Sequence, residues 1–243
     1  QGVHDAVLTA ARKARRYDWV VCSGGDGTLD EVVTGIMQSS KVIPVGYIPA
    51  GSTNDFANSL GIPKNMVQAA EAIVNGELFC CDIGSFNDDT FVYIAAFGLF
   101  TDVSYETKQE YKNVLGHMAY LLEGMKRLTN VPSCHMRICS RELEAEGDFI
   151  FGMITNSRSV GGFKSIIGRK VQFDDGVFEA TFIKMPKNAL ELQEILGAIL
   201  GKEIDSRYMY SFRTAELCVE ADSAVPWTLD GEYGGEWNRA VIR

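Results

Sequence analysis

The first third of the chain alternates between helix-like and strand-like patterns of apolar residues. Apolar side chains recur at i, i+3, i+4 and i+7 over residues 3–14, which predicts a helix with one buried stripe. The run DWVVC predicts a buried strand, and TLDEVVTGIMQS after it returns to helical spacing. VIPVGYIP and PKNMVQAAEAIVNGE repeat this order of strand and helix. Buried strands that alternate with helices are typical of a parallel sheet covered by helices.

Strand-like patterns dominate after about residue 78. They occur in LFCCDIGSF, DTFVYIAAF, DFIFGMITNS, GVFEATFIK, AELCVEA and EWNRAVIR. In GVFEATFIK the apolar side chains alternate with Glu179 and Thr181, which predicts antiparallel sheet with one packed face. Helices are predicted at GHMAYLLEGMKRL and ALELQEILGAIL. We therefore predict an α/β domain over residues 1–80 and a mostly-β domain over residues 81–243, with a cleft between them.

Composition narrows the class of protein. The chain has 243 residues, of which 46% are hydrophobic, and a net charge of −9, so we expect a soluble globular protein that binds no nucleic acid. No apolar stretch approaches the roughly 20 residues needed to span a bilayer. The six cysteines form no CxxC pair, which favours reduced thiols in a cytoplasmic protein.

The stretch SGGDGT at residues 23–28 joins the first predicted strand to a helix. It therefore lies at the carboxyl end of the sheet, where backbone N–H groups and a helix N-terminus favour anions. A tight turn that merely needs glycine is the alternative interpretation. The patterns GxGxxG and GxxxxGK[ST] are absent here, which argues against a dehydrogenase or a P-loop enzyme. Asp26 between the glycines suits Mg²⁺ binding or acceptance of a proton during phosphoryl transfer.

The same stretch, SGGDGTLDEVVTGI, resembles the glycine-rich motif of diacylglycerol and sphingosine kinases. A GGDGT motif also occurs in NAD kinases and phosphofructokinases, but PAGSTNDFANSLGIP is similar to the second motif of the diacylglycerol kinase catalytic domain. CDIGSFN, GHMAYLLEGM, FDDGVFEATFIK and LDGEYGG follow in family order, so the chain resembles the bacterial soluble diacylglycerol kinases over nearly its whole length.

The resemblance implies an α/β nucleotide-binding domain followed by an antiparallel β-sandwich domain with inserted helices. The family begins with a strand and a loop that precede the first residues of this chain. We therefore expect the α/β domain to be N-terminally incomplete, without its first strand–helix unit. The family's usual GGDGTLNE reads GGDGTLDE here, so Asp30 stands where its relatives have Asn.

The resemblance also implies the site residues. Contacts to the nucleotide are implied for Gly25, Asp26, Gly27, Thr28, Leu29, Asp30, Glu31 and Thr53. A structural Mg²⁺ is implied at Gln172, Asp175 and Val177, with oxygen ligands only. Glu232 of the DGE motif is implied as the proton acceptor for the lipid hydroxyl, facing Asp26 across the cleft. Taken alone, Asp-Gly in FDDGVFE and in LDGEYGG predicts a type I′ turn in each.

The implied function is ATP- and Mg²⁺-dependent transfer of a phosphoryl group to the hydroxyl of diacylglycerol or a related lipid. Two alternatives stay open: a kinase for another lipid alcohol, such as phosphatidylglycerol or a sphingoid base, and a non-catalytic nucleotide- or lipid-binding protein. A lipid substrate implies peripheral contact with a membrane surface, for which we expect Phe163, Ile166 and Ile167 at the mouth of the cleft. A homodimer is left open.

Overall fold

The computed structural model describes residues 5–98, 132–158, 171–201 and 207–243. The α-helices of these ranges are α1 (Asp5–Lys13), α2 (Asp26–Met37), α3 (Asp55–Leu60), α4 (Met66–Asn75) and α5 (Ala189–Gly201). The strands are β1 (Val20–Gly24), β2 (Val45–Pro49), β3 (Gly84–Phe86), β4 (Asp89–Phe91), β5 (Ile94–Gly98), β6 (Cys134–Ser140), β7 (Glu144–Thr155), β8 (Phe178–Lys184), β9 (Met209–Thr214), β10 (Leu217–Leu229) and β11 (Glu232–Ile242). The helix predicted at residues 116–128 and the apolar residues Phe163, Ile166 and Ile167 lie outside the described ranges.

The two strands β1 and β2 are parallel, as predicted, with Val20 opposite Val45. Helix α2 begins at Asp26, earlier than predicted, so half of the glycine loop belongs to the first helical turn. Among the described residues β1 has a hydrogen-bonded neighbour on one side only, and Val21 is 47% exposed on that strand. The parallel sheet thus ends at β1 within the described part of the chain.

Antiparallel pairing connects all the remaining strands. Over the described ranges they form one nine-stranded sheet in the order β4-β3-β11-β10-β5-β7-β8-β9, with β6 paired to both β10 and β7. Each of the long strands β7 and β10 thus pairs with β5 at one end and with β6 at the other. Our sequence analysis missed β6 and β9. It also merged β4 and β5 into one strand, although the structure breaks them at Val92 and Tyr93.

Two apolar cores lie on opposite faces of this sheet. The first core joins the sheet to the helices and parallel strands, and the second core surrounds the fully buried Trp227. The prediction of one packed face for β8 is wrong, because Glu179 and Thr181 are 3% and 1% exposed. The large sheet therefore packs directly onto the part of the fold that carries the glycine loop. The division into two domains at residue 80 stays a prediction.

Candidate active site

The first turn of α2 carries the glycine loop. Gly25 is the N-cap and makes no side-chain capping hydrogen bond, so the N–H groups of the first turn have no partner within the helix. A helix N-terminus with such N–H groups binds anions readily. Thr28 lies over the preceding strand, because a methyl group placed on Gly24 would be 2.6 Å from the Thr28 Cβ. The exposed Thr28 hydroxyl is available beside these N–H groups.

The second glycine-bearing loop packs directly against the first. A methyl group placed on Gly51 would lie only 2.5 Å from the Cα of Gly25, so the two backbones are in close contact. Asn54 holds this loop, because its side-chain amide bonds both the N–H and the carbonyl of Gly51, at 2.9 and 2.8 Å. Its backbone has φ 51°, a left-handed conformation that Asn tolerates. Asn54 therefore fixes the conformation of the second loop.

Asp26 connects the two loops. Its carboxylate accepts hydrogen bonds from the N–H groups of Asp55 and Phe56, at 3.0 and 3.4 Å, and thereby caps α3. Burial raises the pKa of the Asp26 carboxyl group, while the hydrogen bonds from the backbone N–H groups lower it. Sequence analysis assigned Asp26 to the nucleotide and missed this cap, because the contact partner lies in the second loop.

Replacement of Asp26 by Ala is expected to lower the free energy of unfolding by about 1–2 kcal/mol, since two N–H groups of α3 lose their acceptor. Urea unfolding measures the effect. Asp18→Ala serves as the control, because Asp18 is 99% exposed and makes a surface ion pair with Lys41. Equal unfolding midpoints for the two variants would contradict the capping role of Asp26.

The turn between β10 and β11 brings Glu232 to the glycine loop. Asp230 and Gly231 have φ values of 50° and 88°, as a type I′ turn requires, so this turn prediction is confirmed. Glu232 follows as the first residue of β11, opposite Leu229. A methyl group placed on Gly27 would lie 3.1 Å from Glu232 Oε1, so the carboxylate lies against the first turn of α2. The structure thus brings together Glu232 and the predicted phosphate-binding residues.

Asp230 anchors this turn to the sheet. The side chain is 4% exposed and accepts hydrogen bonds from the N–H groups of Val92, Tyr93 and Ile94, at 2.5, 2.9 and 2.9 Å. These N–H groups are turned away from strand pairing, which explains the break between β4 and β5. Sequence analysis predicted the turn and missed the anchor.

Asp30 on α2 lies close enough to Asp230 for the two carboxyl groups to affect each other's pKa, and Asp30 Oδ1 is buried without a hydrogen-bond partner. Burial, and after it the negative charge of Asp230, raise the pKa of Asp30 to about 8. Burial also raises the pKa of Asp230, against the effect of its three backbone donors.

The other residues predicted to contact the nucleotide surround this centre. Leu29 is buried, so only its backbone is available to a ligand. Glu31 accepts a hydrogen bond from the N–H of Ala6, at 3.3 Å. Thr53 is exposed, and its carbonyl accepts a hydrogen bond from Asn58, at 3.0 Å. The Glu31 side chain is half-buried.

A groove of about 930 Å³ lies between α1, β1 and α2, and Ser23, Thr28 and Glu31 line its end near the glycine loop. The uncovered side of β1 forms one wall.

The predicted structural Mg²⁺ site lies in the turn before β8. Its residues Gln172, Asp175 and Val177 supply oxygen donors, as Mg²⁺ requires. The Asp175 carboxylate, however, is ion-paired with Arg213, whose Nε also lies 3.3 Å from Glu179 Oε1. The positively charged guanidinium of Arg213 therefore already neutralises the Asp175 carboxylate. Mg²⁺ would fit beside Asp175 only if Arg213 moved. Within the described residues, no group of three or more His, Cys, Asp or Glu side chains is arranged to bind a metal.

The predicted type I′ turn at Asp175 and Gly176 is wrong. Only Gly176 has positive φ, at 72°, and the described residues directly before the turn, 171–174, form no strand. The N–H of Gly176 instead donates to Asp82 Oδ2, at 2.7 Å, so a side chain outside the turn determines its conformation.

Comparison with known proteins follows this geometry. The family model of the diacylglycerol kinase catalytic domain matches residues 2–86, which include both glycine loops. The chain is 32% identical over 233 residues to the diacylglycerol kinase of Bacillus subtilis, an alignment that covers 95% of this chain and 77% of the relative. It is 31% identical over 238 residues to the diacylglycerol kinase of Staphylococcus carnosus, with 97% and 77% covered.

Solved structures share the fold. A crystal structure of a diacylglycerol kinase from Bacillus anthracis superposes with a TM-score of 0.74 at 20% identity, covering all of this chain and 79% of that one. An NAD kinase from Archaeoglobus fulgidus in complex with ATP superposes with a TM-score of 0.51 at 11% identity, covering all of this chain and 86% of that one. With the sequence relatives, these findings lead to one conclusion: the chain belongs to the diacylglycerol kinase family and is a lipid kinase.

Proposed function

We propose that this protein transfers the γ-phosphoryl group of ATP to the hydroxyl of diacylglycerol, with Mg²⁺ accompanying the nucleotide. The observation that carries the proposal is the contact between the Glu232 carboxylate and Gly27 in the first turn of α2. This contact joins a proton acceptor to an anion-binding helix N-terminus. The relatives in Bacillus subtilis and Staphylococcus carnosus that are named diacylglycerol kinases support the choice of substrate.

The phosphate side of the site is the N-terminus of α2. This helix is 12 residues long, and its N–H groups and dipole favour a phosphate group next to residues 25–28. The contact of Gly51 with Gly25 stiffens the loop, so its N–H groups are oriented before the nucleotide binds. Mg²⁺ bound with the nucleotide would neutralise charge on the β- and γ-phosphate oxygens. Asp26, in the first turn of α2, would supply a carboxylate oxygen to that ion.

The acceptor side is Glu232. Its side chain is exposed at the start of β11, so a substrate hydroxyl can reach the carboxylate. A lipid alcohol is too weakly acidic to attack phosphorus readily, and a carboxylate within hydrogen-bond reach removes the proton as the new bond forms. The hydroxyl oxygen bonds to the γ-phosphorus, the bond from that phosphorus to the β–γ bridging oxygen breaks, and ADP leaves. The proton passes to Glu232.

Contact with the bilayer is the remaining part of the proposal. No helix in the described ranges has both the length and the apolar character needed to cross a membrane. A lipid substrate nevertheless has to be reached in its bilayer, so we propose peripheral contact of the β-rich part of the fold. Co-sedimentation with vesicles that contain diacylglycerol tests this contact, and protein that stays entirely in the supernatant would contradict it.

The identity of the lipid substrate is tested by transfer of labelled γ-phosphate from ATP and Mg²⁺ to mixed micelles of diacylglycerol, phosphatidylglycerol or sphingosine. The expected result is labelling of diacylglycerol in preference to the other two lipids. The assay is run both with this chain and with a version extended at its N-terminus. Preferential labelling of another lipid by both proteins would contradict the proposed substrate.

A further inference from the structure

Two cysteines face each other across the paired strands β6 and β10. Cys139 of β6 and Cys218 of β10 are direct partners in this antiparallel pair. The pairing continues without a register shift over residues 136–140 of β6. The positions of the two cysteines are therefore fixed by a regular sheet and not by a loop. Both are free thiols in the structure.

The two side chains lie on the same face of the sheet. Successive residues of a strand point to opposite faces. The neighbours Ile138 in β6 and Leu217 and Val219 in β10 all belong to the second apolar core. Cys139 and Cys218 therefore point away from that core, and both are half-buried.

The spacing of paired strands suits a disulfide bond between these residues. Directly opposed residues of an antiparallel pair have Cα atoms about 4.5 or 5.5 Å apart, depending on whether the pair is hydrogen-bonded. Disulfide bonds span Cα separations of roughly 4.4–6.8 Å. Both spacings fall within this range, so the bond can form without separating the strands. Among the strand pairs of the described residues, no other register places two cysteines opposite each other.

The surface beside the two thiols is polar and open. The next opposed pair on the same face, Arg137 and Glu220, consists of two exposed residues. Arg239 of β11 is also exposed, and its Nε lies 3.2 Å from Glu220 Oε1. A small reagent in solution can therefore reach the two cysteines from this side.

We propose that Cys139 and Cys218 form a reversible redox site, at which hydrogen peroxide converts the two thiols into an intramolecular disulfide bond. One sulfur attacks a peroxide oxygen, the O–O bond breaks, and a sulfenic acid and a water molecule result. The second sulfur then attacks the sulfenic sulfur, the S–S bond forms, and a second water leaves. The two thiols lose two electrons and two protons, and one peroxide is reduced to two water molecules.

The bond would hold β6 to β10. It closes a loop of about 80 residues, and such a cross-link stabilises a fold mainly by restricting the unfolded chain. The oxidised protein is therefore expected to unfold at a temperature roughly 5–15 °C above that of the reduced protein. Cys218 lies at the start of β10, whereas Glu232 follows the far end of that strand. The inference thus does not rest on the proposed function.

The test is peptide mapping by mass spectrometry of folded wild-type monomer, treated with hydrogen peroxide and then with an alkylating reagent. Because burial raises the pKa of the Cys218 thiol and the thiolate is the reactive form, the peroxide is used in excess. Trypsin releases Cys139 within residues 138–141 and Cys218 within residues 214–239. The expected product is these two peptides joined, lighter by two hydrogens than their sum, and separated again by dithiothreitol.

Cysteine variants supply the controls. Cys139→Ser and Cys218→Ser are each expected to lack the joined peptide and the rise in unfolding temperature. Cys80→Ser, which removes an exposed thiol outside the pair, is expected to keep both.

Three results would overturn the inference, and each is visible in the wild type alone. The first is recovery of the two peptides unlinked under conditions that oxidise the exposed Cys80. The second is a joined peptide that occurs only in covalent dimers, because the bond would then connect two chains. The third is an oxidised protein that carries the bond and unfolds at the temperature of the reduced protein.

Discussion

Glu232→Gln is expected to lower kcat for lipid phosphorylation by about 10²–10⁴-fold, while the affinity for ATP stays within about a factor of two. Glutamine has nearly the same size and keeps the contact with Gly27, but it cannot accept the proton of the lipid hydroxyl. The loss therefore falls on the chemical step and not on nucleotide binding. Steady-state kinetics with mixed micelles, together with calorimetric titration of ATP, separate the two effects.

A neighbouring acid on the same strand supplies the control for Glu232→Gln. Glu236 is also an exposed acid of β11, and Glu236→Gln makes the same change of charge outside the turn. It is expected to keep kcat within about twofold, since surface charges act weakly at a distance. Equal kcat values for the two variants would contradict the assignment of Glu232 as the base.

Gly51→Ala is expected to damage both stability and activity. The added methyl group would lie 2.5 Å from the Cα of Gly25 and 2.9 Å from Oδ1 of Asn54, so the two loops have to separate. Overpacking of this kind costs about 1–3 kcal/mol of unfolding free energy. A displacement of the phosphate-binding loop by about 1 Å also costs on the order of 10²-fold in activity. Urea unfolding and the transfer assay measure the two effects.

Gly197→Ala is the matched control, because a methyl group placed on this exposed glycine of α5 meets nothing within 4 Å. Alanine is the better helix former, so this variant is expected to gain up to about 1 kcal/mol in stability and to keep full activity. A Gly51→Ala variant that unfolded at the same urea concentration as the wild type and kept its activity would contradict the close packing of the two loops.

Local patterns predicted most of the elements of the fold. The strand–helix order of the first part and the strand at AELCVEA were predicted correctly, because the spacing of apolar residues within each segment determines its structure. Strand β6 was missed although Met136 and Ile138 alternate with exposed His135 and Arg137, a signal only a few residues long. The two-sided burial of β8 could not be read from its own residues, since Glu179 and Thr181 are buried by other parts of the fold.

The parts of the site that lie within one short sequence motif could be predicted, whereas contacts between residues far apart in the sequence could not. The glycine loop, Asn54 and the type I′ turn before Glu232 follow from local residue types. The cap that Asp26 provides to α3 and the backbone hydrogen bonds that anchor Asp230 depend on contacts between separate segments. The resemblance indicated only that Asp30 was unusual. Its proximity to Asp230 became evident once the turn and α2 were seen together.

The most direct test of the account is transfer of labelled γ-phosphate from ATP and Mg²⁺ to diacylglycerol by the wild type and by Glu232→Gln, with the product identified chromatographically. The expected product is labelled phosphatidic acid, which requires Mg²⁺ and is lost in Glu232→Gln, although both proteins bind ATP equally. Unlabelled lipid in the presence of ATP-saturated wild type, or equal labelling by both proteins, would contradict it.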